Sequence, residues 1–268
     1  GLEPSSGKVV WRRPLLVPMR AAPVVSGERV FVVSYDNQTW ALDGRNGEVI
    51  WQHAGIVETA RLLGAASPAV ERDTIIVPYS SGEIYALRVD TGRVIWSEAL
   101  SAPQLGAEGL ASLNTINGSP VIDRDVVFAI SHGGRLAALD LATGSRRWDQ
   151  ALSGQNTPWV AGDFLFVVAA DGEVVCLSRD RGRVRWVRAL PNFEDPEDRE
   201  GPISWSGPIL LSDRLVLVSS NGLAVAISPY DGAVLGQSAL PDGVYVAPVA
   251  AGGTVYVLTE GADIVALR

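Results

Sequence analysis

Apolar residues along this chain come in short runs separated by tight polar turns, and the runs repeat one script. Each unit opens near a proline: Ala22-Pro23, Ser67-Pro68, Ser119-Pro120, Thr157-Pro158, Gly207-Pro208 and Ala247-Pro248. A short apolar run follows, then a polar turn such as Ser26-Gly27-Glu28-Arg29. Next comes a β-branched or aromatic run, for example Val126-Val127-Phe128-Ala129-Ile130. A turn built on Gly or Asn leads to a third run ending in Ala-Leu. A loop with glycine four residues before a tryptophan then leads into the fourth run. The cassette reads ALDGRNGEVIW to Trp51, ALRVDTGRVIW to Trp96, ALDLATGSRRW to Trp148 and CLSRDRGRVRW to Trp186. A degenerate copy ends at Gly236. The chain opens on the tail of another copy at Trp11 and stops at Ala266-Leu267-Arg268, where the next cassette would begin.

Runs of this length, rich in β-branched residues and bounded by Gly, Asp and Asn, predict strands joined by tight hairpins. No helical period is sustained; Gln104 to Leu113 fits one helical turn at most. The predicted class is all-β. Four antiparallel strands recurring roughly every 40 to 50 residues describe β-propeller blades, and about six blades are readable. A four-stranded blade cannot bury both of its faces alone, so neighbouring blades must pack face to face. Trp11, Trp51, Trp96, Trp148 and Trp186 are assigned to cover the gaps between consecutive blades. Each buried ring contributes on the order of 4–6 kcal/mol as an upper bound. The glycine four residues earlier is expected to take positive φ and close the hairpin between the third and fourth strands.

Composition narrows the partners. A formal net charge of −8 and a pI near 4.8 argue against nucleic acid and against adsorption on anionic lipid, because both need clustered Lys and Arg. Hydrophobic residues make up 47% of the chain, ample for a core. The single cysteine, Cys176, excludes an internal disulfide and reads as a buried small hydrophobe. No apolar stretch approaches the roughly 20 residues that span a bilayer. No secretory leader is readable at Gly1, so the sequence is expected to be a mature product or a piece of a longer protein.

Catalytic constellations are not readable. The two histidines, His53 and His132, lie near strand ends with no sign of convergence, and no Gly-x-Ser-x-Gly context surrounds a serine. No zinc-ligand spacing occurs. Ser131-His132-Gly133-Gly134 belongs to a hairpin turn and not to a phosphate cradle. Two connections are long, Ser97 to Gly118 and Pro191 to Gly207. The second carries Glu194-Asp195-Pro196-Glu197-Asp198-Arg199-Glu200 and reads as a solvated acidic loop without calcium-loop spacing. The reading is of a chain that is not an enzyme and holds no cofactor and no metal.

The cassette Ala-Leu-Asp…Gly…Trp resembles the tryptophan-docking repeat of PQQ-like propellers, which include quinoprotein alcohol dehydrogenases and the BamB family. The dehydrogenases use a vicinal cysteine pair, which a single Cys176 cannot supply. A quinoprotein or other ligand-binding propeller of the periplasm is the alternative reading. Asn117-Gly118-Ser119-Pro120-Val121-Ile122 through Leu136-Ala137-Ala138-Leu139-Asp140 is similar to a central BamB blade. Ala247 to Leu267 resembles the family's last blade. With Thr157 to Asp163 and the Glu194 to Arg199 loop, the pattern is most similar to the alphaproteobacterial branch.

That resemblance implies a non-enzymatic scaffold on the periplasmic face of the outer membrane. It would bind a periplasmic POTRA domain of BamA, sit with other assembly-complex subunits, and assist β-barrel insertion. Family contacts lie in two neighbouring interblade loops. One carries leucines and an arginine before a glycine, matched here by Arg61, Leu62 and Leu63 before Gly64. The other carries two acidic residues, whose places hold Thr115 and Asn117. The leucines carry over, the arginine is displaced, and neutral groups replace the carboxylates. Leu62 and Leu63 are expected to be solvent-accessible; a place in the core at a blade entrance is the other reading.

The resemblance also implies an eight-bladed propeller. Residues 1–268 are therefore expected to form one propeller domain that starts in mid-repeat, with two N-terminal blades and a lipidated N-terminal cysteine upstream. Membrane attachment would come only through that anchor, which this chain lacks. Alternatively, the strand around Lys8 to Trp11 completes the last blade and closes a six-bladed ring.

Overall fold

Alternation places every second side chain of a strand on the same face, and the unbroken apolar runs mark strands buried on both. The computed structural model describes residues 1–19, 21–56, 66–100 and 115–268. Among them every regular element is a β-strand. The chain forms two compact units, Gly1–Ser153 and Gly154–Arg268.

The first unit holds three antiparallel meanders. These are β1 (Val24–Ser26), β2 (Arg29–Val33), β3 (Gln38–Asp43) and β4 (Val49–Ala54); β5 (Ala69–Glu71), β6 (Thr74–Pro78), β7 (Glu83–Arg88) and β8 (Val94–Ala99); and β9 (Val121–Asp123), β10 (Val126–Ser131), β11 (Arg135–Asp140) and β12 (Arg146–Gln150). Its cores lie between sheets. Phe31, Val33, Ala41 and Trp51 meet Ile75, Val77, Tyr79 and Leu87. On the other side of the middle sheet, Ile76, Ile84, Ala86 and Trp96 meet Val127, Ala129, Ala137 and Leu139. β6 is consequently buried along its whole length, and the repeated Ala-Leu pair sends Ala86 to one core and Leu87 to the other.

The second unit holds two further four-stranded sheets and one of three. The fourth sheet comprises β13 (Trp159–Ala161), β14 (Phe164–Val168), β15 (Glu173–Ser178) and β16 (Val184–Ala189). A two-stranded hairpin, β17 (Phe193–Asp195) with β18 (Glu200–Pro202), precedes the fifth sheet of β19 (Trp205–Leu211), β20 (Arg214–Ser219), β21 (Leu223–Ile227) and β22 (Val234–Ala239). The last sheet contains β23 (Val249–Ala251), β24 (Thr254–Leu258) and β25 (Ile264–Leu267). Phe166, Val174 and Cys176 pack with Leu215, Leu217 and Ile227.

The acidic stretch read as a loop is thus the tip and flanks of the β17–β18 hairpin. Asp195 Oδ1 accepts the amides of Glu197 and Asp198, which turns the chain back. Five of the unit-opening prolines directly precede or flank the first strand of their sheet. Pro208 instead lies inside β19, at a register break between Ser206 and Ile209 where a missing amide is tolerated.

One irregularity recurs in all five four-stranded sheets. Trp51 stands opposite Ala41 and Val49 opposite Leu42, leaving Ile50 as an extra residue. Ile95, Arg147, Arg185 and Leu235 are the extra residues of the other four. Such a bulge bends the outer strand and increases its local twist. It falls immediately before the tryptophan position each time and so sets where that side chain points.

Candidate functional site

Outer strands expose most of their side chains, and β4 and β8 each bury one residue, the tryptophan. In the first unit Trp11 Nε1–H donates to Gly44 O at 2.8 Å, Trp51 Nε1–H to Val89 O at 2.9 Å, and Trp96 Nε1–H to Leu141 O at 2.9 Å. In the second unit Trp186 Nε1–H donates to Pro229 O at 3.0 Å. Each acceptor belongs to the turn that follows the third strand of the next sheet. Trp148 is half-buried, with its ring 5.9 Å from that of Phe128 in its own sheet.

The recurring glycine spacing acquires a second cause here. Gly92 and Gly144 have φ of +69° and +72°, and each lies beneath the preceding sheet's tryptophan. A Cβ on either would stand 2.6 Å from the ring of Trp51 or Trp96. Glycine is needed for the turn and again for the approach of the indole. The sequence pattern showed the first requirement only.

A different contact joins the sheets near their first strands. Ser67 Oγ–H donates to Ala22 O, and the Ser67 amide donates to Ser119 Oγ, both at 3.0 Å. The residue before each proline therefore ties three successive sheets together. Near the ends of the outer strands, Leu100, Leu190 and Leu240 are buried, and their amides donate to Gly82 O, Gly172 O and Gly222 O. Sequence reasoning missed these leucines, although an Ala-Leu pair soon after the tryptophan position was there to be read.

The first two sheets share a polar cluster. Buried Tyr79 places its hydroxyl 2.9 Å from Thr39 Oγ1 and 2.8 Å from His53 Nδ1. The His53 ring stacks on Tyr79 and meets Tyr85 at a centroid distance of 5.0 Å. Burial pushes the Tyr79 phenol well above its ordinary value, and burial lowers His53 despite the opposing charge of Glu83. A neutral imidazole beside a protonated phenol suits a structural link, since neither group is poised to take up or release a proton near neutrality. Asn37 adds to it, its Nδ2–H donating to Ile56 O and its Oδ1 accepting the amide and hydroxyl of Ser80.

Arg61, Leu62 and Leu63 lie outside the described residues. Thr115 is buried, and its carbonyl accepts the His132 amide at 3.0 Å. Asn117 is half-buried two residues on, with Ile116 between them in the core. Of these two positions only Asn117 is partly exposed, and its Oδ1 is buried. His132 donates its amide to that same segment, whereas His53 belongs to the Tyr79 cluster. Cys176 is buried, and burial pushes its thiol up to about 11, which keeps it protonated and unreactive. Among the described residues, no group of three or more His, Cys, Asp or Glu stands close enough to hold a metal ion.

Comparison with known proteins agrees with this architecture. The family model described as outer membrane protein assembly factor BamB matches residues 1–188. The protein of that name from Yersinia pestis is 29% identical over 150 residues, covering 56% of this chain and 38% of the relative. The one from Moranella endobia is 22% identical over 276 residues, covering 99% of this chain and 66% of the relative. The crystal structure of BamB from Moraxella catarrhalis superposes with a TM-score of 0.86 at 20% identity, covering 99% of this chain and 77% of that one. At that identity the likeness is one of fold, and the fold is the β-propeller.

Proposed function

The chain belongs to the family of outer membrane protein assembly factor BamB, and on that premise we propose that it is a non-enzymatic scaffold in outer-membrane protein assembly. It works at the periplasmic face of the outer membrane and contacts a periplasmic POTRA domain of BamA through two connections, the one between its first and second sheets and the one between its second and third. The family match over residues 1–188 carries this reading. The chain covers only part of its relatives, so the activity of the whole protein is part of the proposal.

The physical support lies in what the blades leave free. Tryptophans, glycines, serines and the Tyr79 cluster are engaged between sheets, so partner contacts fall to the connecting loops, where a few desolvated apolar side chains can dominate an interface. Leu62 and Leu63, in the run before Gly64, are the apolar residues to which the proposal gives that part. In the places of the family's acidic pair stand Thr115, which is buried and makes no contact with a partner, and half-buried neutral Asn117, so the contact depends less on salt than a carboxylate-based one.

The test is capture of this protein by immobilised BamA periplasmic domains. The wild type is retained, and Leu63→Glu lowers affinity by at least tenfold at an unchanged Tm. Retention of Leu63→Glu with wild-type affinity removes the loop from the site. Failure of the wild type to bind removes the proposal.

A further inference from the structure

The chain carries a net charge of −8, yet one short segment runs against that balance. Between Arg179 and Arg188 stand five arginines and a single aspartate, Asp180. This segment forms the last turn and the outer strand of the fourth sheet, β16, which pairs with β15 on one side. Among the described residues no strand pairs with its other side, so a row of backbone donors and acceptors faces outward.

The arginines differ in their engagement. Arg188 Nε–H donates to Gly232 O, and Arg181 meets its neighbour Asp180 at 3.3 Å with both side chains about two-thirds exposed. Arg183 and Arg185 are exposed; the Arg183 amide donates to Ser178 Oγ, and among the described residues neither guanidinium has an ion-pair or hydrogen-bond partner. The two arginines of β12 behave otherwise: Arg146 is bonded to Glu98, and Arg147, which holds the place of Arg185, donates to Asp140 at 2.7 Å. β16 also exposes Val184 and Val187. A cationic, partly apolar sheet edge is therefore present on the second unit, apart from the loops assigned above.

We propose that β16 is a docking edge for an extended, acidic polypeptide segment. Charge complementarity selects the partner: guanidinium groups match carboxylates in a two-point fork, and the acidic remainder of the chain repels such a segment elsewhere. The unpaired backbone edge selects its form, because an added strand satisfies the outward donors and acceptors while Val184 and Val187 contact its side chains. Anionic lipid would use the charge but not the backbone. This inference does not rest on the BamA contact.

The probe is a fluorescein-labelled octapeptide of alternating Glu and Val, titrated by anisotropy against the protein as it stands. The same titration uses the Lys-Val counterpart and, by flotation, vesicles of phosphatidylglycerol. The acidic peptide should bind, more weakly as salt rises, and the basic one should not. Arg183→Glu/Arg185→Glu should lower affinity at least tenfold. Arg12→Glu/Arg93→Glu, with the same net charge and the same arginine-valine setting at position 93, should bind as wild type does. Equal binding of both peptides, an equal loss in the two double variants, no binding at all, or vesicle binding that depends on Arg183 and Arg185 would each overturn the proposal.

Discussion

An indole ring and the glycine beneath it act as one contact, and their substitution should show it. Trp96→Ala removes a buried ring and its hydrogen bond to Leu141 O, at a cost of about 3–5 kcal/mol and a Tm drop on the order of 10 °C. Trp51→Phe keeps much of the ring but strands the Val89 carbonyl, costing about 1–3 kcal/mol. Gly144→Ala combines positive φ with a Cβ against Trp96 and should cost about 2–5 kcal/mol. Gly162→Ala is the control, with φ of +58° and open space around the added carbon, and should cost about 1–2 kcal/mol. Equal losses at the two glycines, measured by denaturant melts, would show that the indole contact contributes nothing. His53 gives a pH signature. Its folded-state value lies below the ordinary 6.5, so the unfolded chain binds the proton first. Stability present above pH 6.5 should therefore fall as the pH drops below it, and His53→Gln should flatten that slope in melts between pH 7 and 5.

Among the strands and turns, the sequence made the strands of the six sheets, their hairpin order and the tryptophans of β4, β8, β12 and β16 readable, because alternation and turn residues are local signals; the strand expected around Lys8 to Trp11 is not formed. The repeated bulge was not readable: Ile50 and Arg185 look like ordinary strand residues, and only pairing with the neighbouring strand shows that each is one too many. The β17–β18 hairpin was read as a loop because its charged strands lack an apolar face. The buried position of Thr115 was hidden because its partner, the His132 amide, comes from the turn between β10 and β11, a contact that no local pattern announces. Gly236 shows what a degenerate copy costs. It occupies the tryptophan position of β22 with nothing near its missing Cβ, beside a groove of about 610 Å³ lined by Val216, Val225, Val255 and Leu267. Glycine weakens a strand, so Gly236→Thr should stabilise the chain by about 0.5–1 kcal/mol and raise Tm by about 1–3 °C in calorimetry.

For the molecule as a whole, the contacts between sheets run in one direction. The indoles of Trp11, Trp51 and Trp96 in the first unit, and of Trp186 in the second, each reach the last turn of the sheet that follows in sequence. Stability should therefore behave as a sum of sheets and nearest-neighbour terms within each unit. Hydrogen exchange should register this: Trp51→Ala should speed exchange most in β2–β4 and β6–β7, and less in β10–β11. Uniform acceleration across the first unit would mean that it opens only as a whole.

The head-to-tail direction also bears on how such a chain can grow. The first and second sheets each carry both halves of the joint, the plug in the outer strand and the socket in the last turn. A duplicated stretch of gene encoding one sheet would arrive with a fitting for the copy before it and another for the copy after. The tryptophan–glycine contact thus makes blade number a quantity that evolution can alter in single steps, and it leaves the loops free to diverge toward different partners.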